Sequence, residues 1–283
     1  MNPSITIDSE MELLDALKKI HPDSSNRTLR HMLTQKRVTV NGTVALKAKS
    51  KVSPSSIIEI HPKPAIENKL LDIIYEDEDL IAVNKPPGML TVATDKMETN
   101  TLHSKVQQYL ASQNEEEWGY IVHRLDKETS GIILFAKDEE TKQNLQNQFA
   151  ERQVERRYQA IVEGTLEQQG IAEDWLIEDK NLRVWVSEEG SRGSKLAITH
   201  WQLLHTNSEI SKVELKIETG RRHQIRVQLA ERGNPVVGDQ AHGSKTQTKR
   251  LMLHATSLTF IHPNGEEMNL FSKPPSIFEK NTF

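Results

Sequence analysis

Two short apolar runs, Tyr120-Ile121-Val122 and Ile132-Ile133-Leu134-Phe135-Ala136, enclose nine residues, His123-Arg124-Leu125-Asp126-Lys127-Glu128-Thr129-Ser130-Gly131. Apolar runs of this length, bounded by Gly and charge, read as buried strands. The polar stretch between them is then a loop carried on rigid elements, where groups that do chemistry are commonly found. It presents the Asp126 carboxylate two residues after the Arg124 guanidinium. Taken alone, the same pattern also fits a turn in which Asp126 caps a neighbouring backbone N–H.

The chain around this loop has 283 residues, enough for one large domain or two and for a sizeable core. It contains no Cys, which excludes disulfides, a thiolate nucleophile and Cys-based zinc sites, and which fits a cytoplasmic enzyme. Residues 1–11 carry acids and no apolar h-region, so no signal peptide is expected. No run approaches the 18 apolar residues of a membrane span. The net charge of -4 does not by itself indicate a nucleic-acid partner. Its distribution is more telling: residues 1–62 hold nine Lys and Arg against six Asp and Glu, a balance of +3 that leaves -7 for the remainder. A basic module on an acidic body suits a separate RNA-binding domain.

Within that module, Leu13, Leu17 and Ile20 recur at helical spacing over residues 10–20. A second helix is predicted over about 25–36, with Leu29, Met32 and Leu33 apolar and Arg27 and Arg30 on one side. Val38 to Val44 reads as strand, Asn41-Gly42 turn and strand, and Ile57 to Ile60 closes the unit. Pro62-Lys63-Pro64 begins a stiff connector, so the boundaries are drawn at 1–62 for the small domain, 63–70 for the linker and 71–283 for the large domain.

In the large domain, Leu80 to Val83 is a buried-strand run stopped by Asn84-Lys85-Pro86-Pro87-Gly88. Thr99 or Asn100 is placed to cap a helix with Leu102, Val106 and Leu110 on its apolar side, and Asp138 to cap another with Leu145 and Phe149. Arg157 to Gly164, Leu196 to Leu204 and Lys212 to Glu218 read as strands. Thr219-Gly220 then opens a helix that would put Arg222 and Arg226 four apart on one side, a repelling pair that calls for an anionic partner. No phosphate-loop pattern occurs, and the His residues lack metal-ligand spacing, so neither a triphosphate site nor a metal is expected.

Residues His123 to Gly131 resemble, over all nine positions, the H-R-L-D-x-x-T-S-G motif of the RluA/RluD family of pseudouridine synthases. Tyr158, Ala160 and Gly164 match that family's second motif, Thr219 to Arg226 its T-G-R-x-H-Q-I-R motif, and Arg250 to Ala255 its closing element. Residues 10–62 resemble the ribosomal-protein-S4-like RNA-binding domain, departing from it at Asn26 and at Gln35-Lys36.

The resemblance implies an α+β protein: a pseudouridine synthase fold, with a mixed, largely antiparallel central sheet and flanking helices, preceded by a small S4-like α+β domain. It implies isomerisation of a flipped-out uridine without a cofactor, the N-glycosidic bond breaking and uracil C5 joining ribose C1′. The roles it carries over are Asp126 as catalytic carboxylate, Arg226 as its partner and Tyr158 as the face on which the base packs. Arg124 enters the vacated stack, while His123, Arg221, His223 and Lys85 line the substrate site, although Lys85 on its turn also reads as a surface lysine. Arg27, Arg30 and Lys36 would meet RNA phosphates. The departures at Gln228 and His242 are expected to affect packing or substrate choice.

The expected partner is RNA, foremost large-subunit ribosomal RNA with transfer RNA second, acted on by a monomer. Two other readings are a non-catalytic RNA-binding protein that keeps the fold and an N-glycosidase that releases free base.

Overall fold

A computed structural model describes residues 3–22, 24, 26–34, 37–61, 71–94, 98–114 and 117–279, without the side chains of residues 27, 28, 31 and 34. The chain divides into two compact units, Met1–Lys69 with Ser112–Glu115, and Leu70–Ala111 with Glu116–Phe283. The linker expected over 63–70 lies outside the described residues.

The first unit runs β1 (Ser4–Thr6), β2 (Met11–Glu12), α1 (Leu13–Ile20), α2 (Asn26–Thr34), β3 (Val38–Val40), β4 (Thr43–Val44), β5 (Lys51–Val52) and β6 (Ile57–Ile60). Its strands form a four-stranded sheet in the order β1-β6-β3-β4 and a separate β2-β5 pair. The helix period is realised: Leu13 and Leu17 of α1 and Leu29 and Leu33 of α2 are buried in one core with Val38, Ile58 and Ile60. Asn41 and Gly42 both have positive φ, 49° and 77°, as the tight turn between β3 and β4 requires. Arg30 is exposed on α2, while the side chain of Arg27 and all of Lys36 lie outside the described residues. The first strand and the β2-β5 pair were not anticipated, since runs of two or three residues carry too little periodicity to be read.

The second unit comprises β7 (Ile73–Glu76), β8 (Leu80–Lys85), α3 (Leu102–Gln113), β9 (Tyr120–Ile121), β10 (Ser130–Ala136), α4 (Glu139–Ala150), β11 (Glu155–Glu163), β12 (Gln169–Glu178), β13 (Val184–Ser187), β14 (Lys195–Thr206), β15 (Ile210–Ile217), α5 (Gln224–Glu231), β16 (Leu253–Ile261) and β17 (Glu267–Phe271). Its eleven strands form one sheet in the order β13-β12-β14-β15-β11-β16-β10-β8-β7, with β17 also on β16 and β9 on β10. The sheet is largely antiparallel, as expected; β10 and β16 run parallel.

Every residue of β10 is buried, which explains its unbroken apolar run. It pairs with β16 through Ser130 and Gly131; Gly131 has φ +116°, and a Cβ there would stand 2.1 Å from the Ala255 carbonyl oxygen. Only glycine allows that approach, so the end of the candidate catalytic loop is fixed in register by Gly131. Asp138 caps α4 as expected, accepting from the Thr141 N–H at 2.8 Å. The cap of α3 is Thr101 rather than Thr99 or Asn100: its hydroxyl accepts from Ser104 N–H, and Ser104 Oγ accepts from Thr101 N–H. That reciprocal pair satisfies two end donors at once and outcompetes the earlier polar residues.

Candidate active site

The loop between β9 and β10 is braced on both sides of Asp126. Thr91 Oγ1 donates to the Leu125 carbonyl at 2.8 Å and accepts from the Leu125 N–H at 3.2 Å. On the other side, the Lys127 carbonyl accepts from Gly88 N–H at 2.9 Å and from Lys85 Nζ at 2.9 Å.

Lys85 is 0 % exposed and gives its other protons to the carbonyls of Pro86 and Met89. This corrects the expectation of a surface or substrate-contacting lysine. Three carbonyls converge where the Pro-Pro turn meets the loop, and an ammonium can satisfy all three. Burial pushes its pKa down to about 8, against the opposing charges of Glu128 and Asp126.

His123 also holds the scaffold. Its Nε2 accepts from the Leu134 N–H at 3.0 Å, and its ring stacks on Phe149 at 4.7 Å. Burial, then the nearby Arg156 charge, drives its pKa far below the imidazole range, so it stays neutral and keeps that acceptor. The far end of the loop is tied down by Ser130 Oγ, which lies 2.8 Å from His254 Nδ1 and accepts from Arg250.

The loop opens onto a pocket of about 390 Å³ whose lining includes Asp126, Tyr158, Arg226, Arg124, His123, Arg221 and His223. Asp126 and Arg226, 100 residues apart in sequence, thus meet in one cavity. Tyr158, on β11, is 8 % exposed, and its hydroxyl has no partner among the described residues. Burial, with a smaller push from Asp126, raises its pKa to about 12, so it remains a neutral phenol. Arg124 is exposed. Arg221, also exposed, donates from Nε to the Leu196 carbonyl at 3.1 Å.

Arg226 lies 3.9 Å from Asp126 through Nη1, so the expected pairing exists as an approach of opposite charges and not as a two-point grip. The grip belongs to Asp239. Its Oδ2 accepts from Arg226 Nε at 2.6 Å and its Oδ1 from Nη2 at 2.8 Å. Both side chains are buried, at 8 % and 1 % exposure. Two parallel bonds fix the guanidinium plane and leave Nη1 directed at Asp126. Sequence spacing gave no sign of this second carboxylate.

The helix bearing Arg226 begins at Gln224, later than its sequence suggested. His223 takes a left-handed conformation at φ 52° just before α5, and the Gln224 side chain accepts from Thr219 Oγ1 and Arg221 N–H. Arg222 therefore stands outside the helix and pairs with Glu178 at 3.0 Å. No repelling Arg222–Arg226 pair forms, and the argument for an anion drawn from it does not hold.

Gln228 is fully buried and donates to Ala172 and Ala197 carbonyls and to Asp174, which assigns it to packing. His242 lies 5.2 Å from His223, ring to ring, beside Asp239. Among the described residues, Asp77, Asp79 and His262 bring ligand-type atoms together. Asp77 already accepts from Tyr75, His262 and two backbone N–H groups there, so the cluster is satisfied by the protein itself.

The chain matches the RNA pseudouridylate synthase family over residues 79–231 and belongs to it. An uncharacterized RNA pseudouridine synthase of Aquifex aeolicus is 34% identical across 98% of this chain and 93% of its own length. The ribosomal large subunit pseudouridine synthase D of Neisseria meningitidis serogroup A is 33% identical across 92% of this chain and 75% of its own length. Among solved structures, human RNA pseudouridylate synthase domain containing 4 superposes with a TM-score of 0.63 at 26% identity, covering 74% of this chain and 90% of that one. The protein is an RNA pseudouridine synthase, an isomerase acting on uridine in RNA.

Proposed function

We propose that this enzyme isomerises specific uridines of large-subunit ribosomal RNA, with Asp126 as the nucleophile or base. The observation that carries the site assignment is the placement of the Asp126 carboxylate. It is fixed through Leu125 and Lys127, faces the Arg226 charge at 3.9 Å, and shares a pocket with Tyr158. A uridine turned out of its stack enters that pocket, and Tyr158 supplies a flat wall on which the uracil packs while it turns about. Arg124, exposed at the loop, fills the space the base leaves. The ribosomal assignment is supported by relatives near 30% identity named for the ribosomal large subunit. Mapping pseudouridines in ribosomal and transfer RNA from cells with and without the gene tests it: loss of sites in large-subunit RNA is the expected result, and loss confined to transfer RNA would redirect the assignment.

Tyr158→Phe keeps the ring and removes a hydroxyl that has no partner among the described residues, so turnover should stay within a few-fold of wild type. Tyr158→Leu removes the flat face, worth ~1–3 kcal/mol of stacking, and should lower kcat/KM by roughly one to two orders of magnitude. Equal losses in single-turnover assays of both variants would make the hydroxyl the working group.

We further propose that the first unit is an S4-like RNA-binding domain using Arg27, Arg30 and Lys36 on phosphates. Its positive balance supports this reading, as does a core of its own over residues 7–60, separate from the core of the second unit. Deleting residues 1–62 should weaken binding to structured RNA and flatten its salt dependence, since phosphate contacts set that slope. Turnover at saturating RNA should change much less. Loss of saturating turnover in a truncated protein with native circular dichroism would contradict the assignment.

A further inference from the structure

Arg156 precedes Tyr158 by two residues on β11, so its side chain leaves the strand on the same face. It is 8 % exposed and lines the same pocket. Nη2 donates to the Glu218 carbonyl at 2.6 Å, and the guanidinium lies over the Phe149 ring at 5.6 Å. Nη1 sits where a Cβ on residue 220 would come within 2.9 Å of it, so Gly220 leaves it room. Nε is buried without an acceptor, and among the described residues no carboxylate pairs with this guanidinium. Glu218, whose carbonyl holds Nη2, turns its carboxylate to His200 at 2.7 Å and Arg152 at 3.9 Å.

A buried cation held by one carbonyl lacks its counter-charge, and desolvated charge is tolerated where a partner completes it. The surroundings say what sign and kind of partner that is. Arg124, Arg221 and Arg226 line the pocket with Arg156, and Asp126 is the single carboxylate among its lining residues. Burial, and then the neighbouring Arg152, push the Arg156 pKa down, which an arriving anion would reverse. A uracil carbonyl would supply an acceptor but leave the charge uncompensated, whereas a phosphate supplies both and matches the planar donor fork.

We propose that Arg156 is the receptor for an RNA backbone phosphate adjacent to the flipped uridine, setting how deep the nucleotide sits over Tyr158. This rests on the chain acting as an RNA pseudouridine synthase and not on which RNA it modifies. Pseudouridine formation should be followed across a salt series in RNA from cells lacking the gene, with wild type, Arg156→Gln and Arg156→Lys. Removing one charge-assisted contact should raise KM for Arg156→Gln by about tenfold. It should also reduce the slope of log kcat/KM against log salt by about 0.7–0.9, the share of one phosphate. The Lys variant keeps the charge and should keep the slope.

A folded Arg156→Gln enzyme with the wild-type salt slope would overturn the proposal, whatever its kcat. Ethylation interference on the wild-type complex tests it without a variant. Ethyl groups on the phosphates flanking the modified uridine should be depleted from bound RNA, and their recovery at input frequency on both sides would overturn it. Wild-type protein that forms no pseudouridine in this RNA would instead refute the activity on which the proposal rests.

Discussion

Asp126→Asn is expected to abolish pseudouridine formation while RNA binding persists. The substitution keeps the shape of a side chain that is 21 % exposed in the pocket and removes the charge that a nucleophile or base requires. The loop does not depend on that carboxylate for its own structure. Its braces run through the backbone of Leu125 and Lys127 and through the Asp126 carbonyl, which accepts from Thr129 N–H at 3.2 Å. The variant should therefore fold with wild-type thermal stability, and RNA affinity should be equal or slightly higher because one negative charge near the phosphates is gone. Filter binding and a single-turnover assay on the same preparation separate the two effects. A parallel loss of binding would mean that Asp126 is a structural cap.

The second large effect is expected at the Arg226–Asp239 pair. Asp239→Ala leaves a guanidinium that is 8 % exposed without its two-point partner, and breaking a buried pair in this way costs about 3–5 kcal/mol. A lowered thermal midpoint should accompany the loss of activity. Arg226→Lys is the gentler probe. It keeps one positive charge but cannot bridge both Asp239 oxygens and still present a nitrogen to Asp126 3.9 Å away. Displacement of a catalytic neighbour by about 1 Å can cost ~10²-fold, and a turnover loss of that order is expected with RNA binding retained. Asp126→Asn with Arg226→Lys should be no less active than Asp126→Asn alone, since groups acting as a unit are not additive. Near-normal turnover of Arg226→Lys in a stopped assay would show that the guanidinium geometry is not needed.

The loop and the buried strand after it were legible because Ile132 to Ala136 is apolar at every position and Gly131 punctuates it. The helices of both units announced themselves through Leu13 and Leu17, or Leu102, Val106 and Leu110, at helical spacing. The meeting of Asp126, Tyr158 and Arg226 in one pocket was legible only through family resemblance, because β11 and α5 come to the loop by sheet order and not by sequence proximity.

Lys85 was misread for a physical reason: lysine is rarely fully buried, and nothing local announces three carbonyls from two segments converging on it. Asp239 escaped because its partner lies thirteen residues back, across the end of α5, where no helical spacing links them. The Arg222–Arg226 repulsion was an error of helix start, decided by the left-handed turn at His223. Arg156 shares the face of Tyr158 two residues on, but it fell outside the strand as read from Arg157, because the strand begins at Glu155.

In pseudouridine formation uracil C5 gains the new bond to C1′, so the hydrogen on C5 must leave to water. RNA labelled with tritium at uracil C5 in cells lacking the gene, then incubated with the purified protein, tests this most directly. Tritium should appear in the solvent in step with pseudouridine in the RNA, without free uracil, and neither should appear with Asp126→Asn. Tritium release by Asp126→Asn, or free uracil released by the wild-type protein, would contradict the account.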